Sequence, residues 1–323
     1  MRQVQIDTYG GPEVLHLVEV PDPRPGPGQV VVRTAAAGIT FVETQVRAGR
    51  PPWPGPGPAL PVVLGNGVAG EVVAIGAGVD ASLLGQRVVT ATGGFGGYAD
   101  HVVVNAADPV PIPDGLEPGE AVALLSDGRT ALALARAVAV TPADRVLVTA
   151  AAGGVGSLLV QLARAAGATR VVAAAGSARK LVVARDLGAD VAVDYTQAGW
   201  ADAVRAATGG LDVAFDGVGG QIGRAALGLV APGGRFLRYG AASGAMTDIG
   251  DSAEREVTVI AGQAVVRSPE DNRELVVQAL AAAASGRLRP VIGQTFPLSR
   301  AADAHAAIEA RATIGKTLLI PER

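Results

Sequence analysis

The chain contains no cysteine. That excludes disulfides, thiolate catalysis and any zinc site built on thiolates. Aromatic residues make up only 3% of the 323 residues, so Ala, Val and Leu must build the core. Charged residues are also sparse, at 18%, with a net charge of −3. No run of Lys or Arg interrupts that balance, which argues against nucleic acid as a main ligand. The histidines are only His16, His101 and His305, far apart in the chain, and their spacing suggests no metal site. The start, Met1-Arg-Gln-Val4, shows no apolar run of signal-peptide length, so the expected compartment is cytoplasmic.

What the chain has in excess is glycine and aliphatic residues. Hydrophobic residues reach 49%, ample for a sizeable core, and the length suggests two domains. The most informative stretch is Arg145 to Arg164. Val146–Val148 are strand formers, Gly153, Gly154 and Gly156 fall at a turn, and Leu158, Leu159, Leu162 and Ala163 recur at helical spacing. A strand, a glycine turn and a helix form the layout in which backbone N–H groups at a helix N-terminus face a pyrophosphate. Ala152, Gly153, Gly154, Val155 and Gly156 are its expected contacts. The glycines alone are weak evidence. With 44 Gly in the chain, three at fixed spacing arise by chance about once. A membrane span is excluded because three glycines, Thr149, Ser157 and Gln161 make this run a poor hydrocarbon segment.

The surrounding pattern carries the inference. Residues 1–120 are rich in short strands, at 4–6, 15–20, 30–34, 70–75, 87–91 and 97–104. Pro/Gly clusters such as Pro21–Gly28 separate them. Pro51–Pro58 holds five prolines, so it reads as an exposed loop, with a lid as the functional alternative. Helices are expected at 120–126 and 129–139. Beyond them strands (146–149, 170–175, 191–195, 211–216, 235–239, 257–261) alternate with helices (154–166, 178–187, 200–207, 219–230). That alternation predicts a doubly wound parallel sheet, the Rossmann arrangement. A helix at 272–285, strands at 291–296 and 316–320 and a short helix at 301–310 return to the first domain. The expected division is therefore 1–120 completed by 264–323, and 121–263 as the nucleotide-binding domain.

The end of the second strand selects the cofactor. A site for NAD places a carboxylate there, against the ribose 2′-OH. Here Val171–Ala175 runs into Gly176-Ser177-Ala178-Arg179-Lys180 with no acid. A hydroxyl and two cations suit a 2′-phosphate, hence NADPH. Tyr195, closing the third strand, falls beside the same pocket. The fifth strand ends in Tyr239-Gly240-Ala-Ala-Ser243, where a ligand approaches the carboxyl end of the sheet.

Taken together, Gly65-x4-Gly70, Gly97-Tyr98-Ala99, Ala150-x-x-Gly153-x-x-Gly156, Pro232-Gly-Gly234, Glu309-Ala-Arg311-Ala-Thr313 and Gly315-Lys316 resemble one family. It is the zinc-independent quinone oxidoreductase branch of the medium-chain dehydrogenase/reductases, and the likeness spans essentially the whole chain. The resemblance implies a GroES-like β-rich catalytic domain, a Rossmann domain, commonly a homodimer, and hydride transfer from NADPH to a quinone or an α,β-unsaturated carbonyl. It also implies that Ser177, Lys180 and Tyr195 take the 2′-phosphate, that Arg311 reaches the cofactor, and that Tyr239, Gly240 and Ser243 lie along its nicotinamide half. The resemblance further implies that Thr130 opens the helix beneath the cofactor.

The departures from the family pattern concern the substrate. Gly38-Ile-Thr40-Phe-Val-Glu43-Thr-Gln45 aligns with a segment that usually reads Gly-Ile/Val-Asn-x-x-Asp-x-Tyr. Thr40 and Gln45 therefore replace an asparagine and a tyrosine, and Gly65-Asn66-Gly67 lacks a usual acid. Arg50 stands where enoyl-thioester reductases carry a catalytic tyrosine. Thr40, Gln45, Asn66 and Thr130 are the expected donors to a substrate carbonyl, with Tyr98 joining them if it faces the substrate. Glu43 is expected in a structural ion pair. The Arg47, Arg50 and Trp53 region is expected either to cover the site or to be a solvated loop. Two alternatives stay open: a 2-enoyl-thioester reductase, and a non-catalytic NADPH-binding protein.

Overall fold

The computed structural model describes residues 1–250, 252–262, 265 and 268–322. It divides into two compact units, one formed by 1–126 with 276–323 and the other by 127–275. Elements are numbered in chain order.

The first unit is built on β-strands. Strands β1 (Arg2–Ile6), β2 (His16–Glu19) and β4 (Val62–Val63) make a small antiparallel sheet in the order β2-β1-β4. The larger sheet is organised around β3 (Gln29–Ile39), which pairs with β5 (Gly67–Ile75), β7 (His101–Asn105) and β16 (Lys316–Ile320). Strands β6 (Arg87–Ala91) and β8 (Val110–Pro111) extend it beyond β5, and β15 (Ile292–Pro297) beyond β16. The β3–β5 register shifts between Thr34 and Ala36. Val30, Val32, Val68, Val72 and Val88 lie in the core, with β-branched side chains suited to a pleated surface. The C-terminal strands thus complete the sheet begun by the N-terminal ones.

Two short helices matter for the site. Helix α1 (Phe41–Arg47) follows β3 directly and is a difference from the sequence reading, which placed no helix there. Its signal was present: Thr40 is the N-cap, and Glu43 three residues on returns its carboxylate to the Thr40 N–H, the helix-start pattern of a capping box. Helix α9 (Ala301–Glu309) packs on α1, β15 and β16.

Helix α2 (Pro118–Ala123) is shorter than the 120–126 helix expected and runs into a π-helical turn, Leu124–Gly128. It packs on β3, β5 and β6, and Leu125 seats over Gly67. That packing holds 121–126 in the first unit, so the division falls at 126/127 and not at 120/121. The other expected boundary, 263/264, lies outside the described residues. The observed one falls at 275/276, within α8 (Pro269–Ala284).

The second unit is a six-stranded, wholly parallel sheet. Its strands are β9 (Arg145–Thr149), β10 (Arg170–Ala175), β11 (Val191–Asp194), β12 (Leu211–Asp216), β13 (Val230–Arg238) and β14 (Thr258–Ala261). Their order is β11-β10-β9-β12-β13-β14. This is the doubly wound order, with the chain reversing direction across the sheet between β9 and β12. Helices α3 (Arg129–Val138), α4 (Gly154–Ala165), α5 (Ala178–Asp186), α6 (Trp200–Thr208) and α7 (Gly220–Leu229) flank it. Residues Val146–Val148 and Val171–Ala175 are buried throughout, as strands covered on both faces must be. β13 begins five residues earlier than the sequence suggested, because Leu211↔Val230 pairing precedes an irregularity in its register with β12.

Candidate functional site

The glycine turn after β9 is closed to side chains. Ala150 takes a left-handed conformation (φ 50°), and the Gly153 N–H returns to its carbonyl at 2.9 Å. A Cβ at Gly156 would run into that same carbonyl. Gly153 is the N-cap of α4, so the N–H groups of Gly154, Val155 and Gly156 have no acceptor within the helix and lie at the positive end of its dipole. This cradle fits a diphosphate by backbone alone. Ala152 is buried beneath it. One feature was not foreseen: the Asp127 carboxylate stands against Gly154, in the space a side chain there would fill.

The second strand delivers the next group. Beyond β10, Gly176 is covered by the Tyr195 ring, whose Cε2 would lie 3.1 Å from a Cβ at Gly176. Tyr195 stands one residue past β11, which ends at Asp194. Ser177 caps α5, its Oγ accepting the Lys180 N–H at 3.4 Å. The fold therefore gathers Gly176, Ser177, Lys180 and Tyr195 at the ends of adjacent parallel strands, with no acid at the end of β10. Arg179 is exposed.

The third group lies past β13. Tyr239 and Gly240 donate their N–H groups to the Asp216 carbonyl, and Ser243 donates its own to Val218. A Cβ at Gly240 would strike the Gly217 backbone, so only glycine fits. The Tyr239 hydroxyl lies 3.5 Å from the Thr149 carbonyl, and burial raises its pKa, so it stays a neutral donor. Thr130 lies in the first turn of α3, half-buried.

Below this edge sits a residue that sequence reasoning missed. Asp216 is wholly buried at the end of β12. Its Oδ1 accepts from Thr149 Oγ1 at 2.8 Å and from the Val218 and Gly219 N–H groups, and its Oδ2 accepts from Gly219 N–H and Thr247 Oγ1. Thr149 Oγ1 in turn accepts the Gly217 N–H at 3.0 Å. The carboxylate thus ties the ends of β9 and β12 to the loop carrying Thr247. The available signal was an acid closing an apolar strand just before glycines, Asp216-Gly-Val-Gly-Gly220.

The other candidates lie in the first unit, around Glu43. Glu43 is buried, and its carboxylate accepts the Thr40 N–H at 2.5 Å, the Asn66 N–H at 2.6 Å and the Tyr98 hydroxyl at 3.2 Å. Its partners at hydrogen-bond distance are two backbone N–H groups and a phenol, so Glu43 is a hydrogen-bonded hub on which the charge of Lys316 also acts. Burial raises its pKa against these donors and the charge of Lys316. Tyr98 is fully buried with its hydroxyl between Glu43 and His305, so it is a structural partner and not a substrate donor. Gln45 is half-buried and its amide donates to Thr44 Oγ1 at 3.1 Å.

Arg47 also departs from expectation. It is 1% exposed and ion-paired with Glu309 of α9, not part of a surface loop. Arg50 and Trp53 are exposed. Arg311 follows α9 in a left-handed conformation (φ 55°) on the surface of the first unit.

Comparison with known proteins decides the family. Residues 26–114 match the alcohol dehydrogenase GroES-like domain, and residues 187–319 match the zinc-binding dehydrogenase domain. A quinone oxidoreductase of Pseudomonas aeruginosa is 34% identical over 99% of both chains. A 2-haloacrylate reductase of a Burkholderia species is 33% identical over 98% of both. The crystal structure of Escherichia coli quinone oxidoreductase complexed with NADPH superposes with a TM-score of 0.89 at 30% identity, covering 99% of this chain and 100% of that one.

The chain belongs to the quinone oxidoreductase branch of the medium-chain dehydrogenase/reductases.

Membership in the quinone oxidoreductases makes the protein an oxidoreductase and accounts for its two architectures, the GroES-like unit and the Rossmann unit. In this quinone oxidoreductase relative, Thr40 and Asn66 are brought together through a shared carboxylate, although they come from different turns. Among the described residues no group of three or more His, Asp or Glu is arranged to hold a metal ion. No helix among them is long and apolar enough to cross a membrane.

Proposed function

We propose that this oxidoreductase uses NADPH to reduce a quinone or an activated alkene such as an enone or enal, without zinc. The observation that carries the cofactor choice is the acid-free end of β10, where Gly176, Ser177, Lys180 and Tyr195 converge. A ribose 2′-phosphate there meets a cation and hydroxyls, while a 2′-OH finds no carboxylate. The glycine cradle at Gly153–Gly156 takes the diphosphate, and Tyr239, Gly240 and Ser243 border the nicotinamide half. Arg311 is assigned a further contact to the cofactor. NADPH, when bound, supplies the hydride.

The chain's own work is positioning and polarisation. Thr40, Gln45 and Asn66 of the first unit and Thr130 of the second are assigned as donors to the substrate oxygen. They need no nucleophile, and a chain without cysteine has no thiolate for a zinc site of the alcohol-dehydrogenase kind. The 2-haloacrylate reductase among the relatives favours extending the quinone reading to activated alkenes. A cytoplasmic homodimer is the form in which we expect it to work.

The test is NADPH oxidation against quinones, enones, enals, 2-haloacrylate and a crotonyl thioester, run beside NADH. Turnover with quinones or enals and preference for NADPH are expected. Turnover of the thioester alone points to an enoyl-thioester reductase. Tight NADPH binding with no turnover on the whole panel points to a non-catalytic binding protein.

A further inference from the structure

Glu43 joins two turns that are distant in sequence and both carry assigned substrate donors. One oxygen, Oε2, accepts the N–H of Thr40 at the start of α1, and the other, Oε1, accepts the N–H of Asn66 ahead of β5. We infer that Glu43 is the positioning residue of this active site: an ionised carboxylate that sets the distance between the Thr40 and Asn66 side chains, itself oriented by Tyr98 and His305. The inference rests on the reading that Thr40 and Asn66 face the substrate.

With Glu43 ionised, as the inference holds it, the donor count fixes the direction of the hydrogen-bond series. An ionised carboxylate only accepts, and both its oxygens face N–H groups, so the single phenolic proton of Tyr98 goes to Glu43. The Tyr98 oxygen must then accept from His305, whose Nε2 lies 3.0 Å away. His305 is therefore the Nε2–H tautomer. Its Nδ1 is buried without a hydrogen-bond partner, which a bare lone pair tolerates better than an N–H. The sequence of donors runs from His305 to Tyr98 to Glu43, and Glu43 receives the two backbone turns. His305 lies on α9, and Arg47 of α1 pairs with Glu309 of the same helix. The two helices are thus locked together behind the carboxylate. His305, Tyr98 and Glu43 are assigned no contact with the reacting atoms, so their effect on turnover comes through where Glu43 holds Thr40 and Asn66.

Three variants of the full-length enzyme test this with the best substrate of the panel. In Glu43→Gln the amide NH2 must face one of the two N–H groups, releasing one turn. We expect kcat and kcat/KM to fall together by about 10- to 100-fold, as misplacement of binding groups does. NADPH affinity is expected to change less than about twofold, since every assigned cofactor contact except Arg311 lies in the other unit. Glu43→Asp, ionised but shorter, is expected to recover part of kcat. Tyr98→Phe keeps both backbone bonds and the shape of the site, and is expected to fall between wild type and Glu43→Gln. It also keeps the inference falsifiable where Glu43→Gln does not fold. The tautomer has its own readout, the 15N shifts of the His305 ring, with Nε2–H expected in wild type.

Wild-type kcat in Glu43→Gln and Tyr98→Phe would overturn the inference, as would activity lost only in proportion to unfolded protein. An Nδ1–H tautomer would overturn the donor sequence. Thr40→Val and Asn66→Ala separate this from the underlying reading. If they leave kcat unchanged, the assignment of substrate donors fails. If they lower it while the Glu43 and Tyr98 variants do not, only the positioning role fails.

Discussion

His305 Nε2 lies 3.0 Å from the Tyr98 hydroxyl, with the two rings edge-on at 89° and their centroids 5.8 Å apart. Both side chains are fully buried, and neither can charge cheaply. Burial, with Arg47 nearby, lowers the His305 pKa to about 3, and burial beside Glu43 raises that of Tyr98 well above its ordinary value.

The His305 shift makes a prediction about acid. In the unfolded chain the imidazole protonates near pH 6.5, while in the folded protein it stays neutral down to about 3. The unfolded state therefore binds more protons in that window, and stability falls as pH drops through it. The contribution approaches about 1.4 kcal/mol per pH unit once the unfolded imidazole is fully protonated. Glu43 acts with the opposite sign. Its raised pKa favours the folded state at low pH, and that advantage is lost as pH rises from the ordinary carboxylate value through the folded one. Between pH 7 and 5 the His305 effect is expected to be visible in urea unfolding, and His305→Phe should flatten the slope. Equal slopes for the two proteins would sink this account.

Lys180 is expected to select between cofactors. It stands in the first turn of α5, beside Ser177 at the acid-free end of β10. Lys180→Ala should weaken NADPH binding by about tenfold or more, in line with a lost charge-assisted hydrogen bond of about 1.5–3 kcal/mol, and leave NADH binding unchanged. Fluorescence titration with both cofactors checks this. Equal affinity for NADH and NADPH, untouched by the substitution, would remove the 2′-phosphate assignment.

Gly156 probes the cradle itself. A side chain there meets the Ala150 carbonyl, which is backbone and held by its own turn. Gly156→Val is expected to lose NADPH binding by more than about 100-fold, by forcing the start of α4 away from β9. Calorimetric titration provides the measurement, and wild-type affinity in this variant would contradict the assigned site.

Much of this was legible in the chain as written. Strand, turn and helix over Arg145–Arg164 follow from local spacing, and so does the alternation that becomes the parallel sheet. The helix at Phe41–Arg47 was legible too, through Thr40 and Glu43, though a short helix between glycine- and proline-rich stretches is easily passed over. That Gly176, Ser177, Lys180 and Tyr195 lie at neighbouring strand ends was legible as well, because parallel pairing aligns the carboxyl ends of β10 and β11. The roles of Tyr98, Arg47 and Glu43 were not legible, since an exposed and a buried polar residue look alike in one sequence.

What the sequence by itself determined, then, is the order of elements and the chemistry of the cofactor turn, because both depend on residues a few positions apart. What only the tertiary structure decided is who meets whom across the fold. Tyr98 reaches Glu43 across 55 positions and His305 across 207, while Arg47 reaches Glu309 across 262. Asp216 gathers Thr149 and Thr247 from 67 and 31 positions away. Such partners are set by strand register and by how α1 and α9 pack, and burial then forces each polar group to find the other.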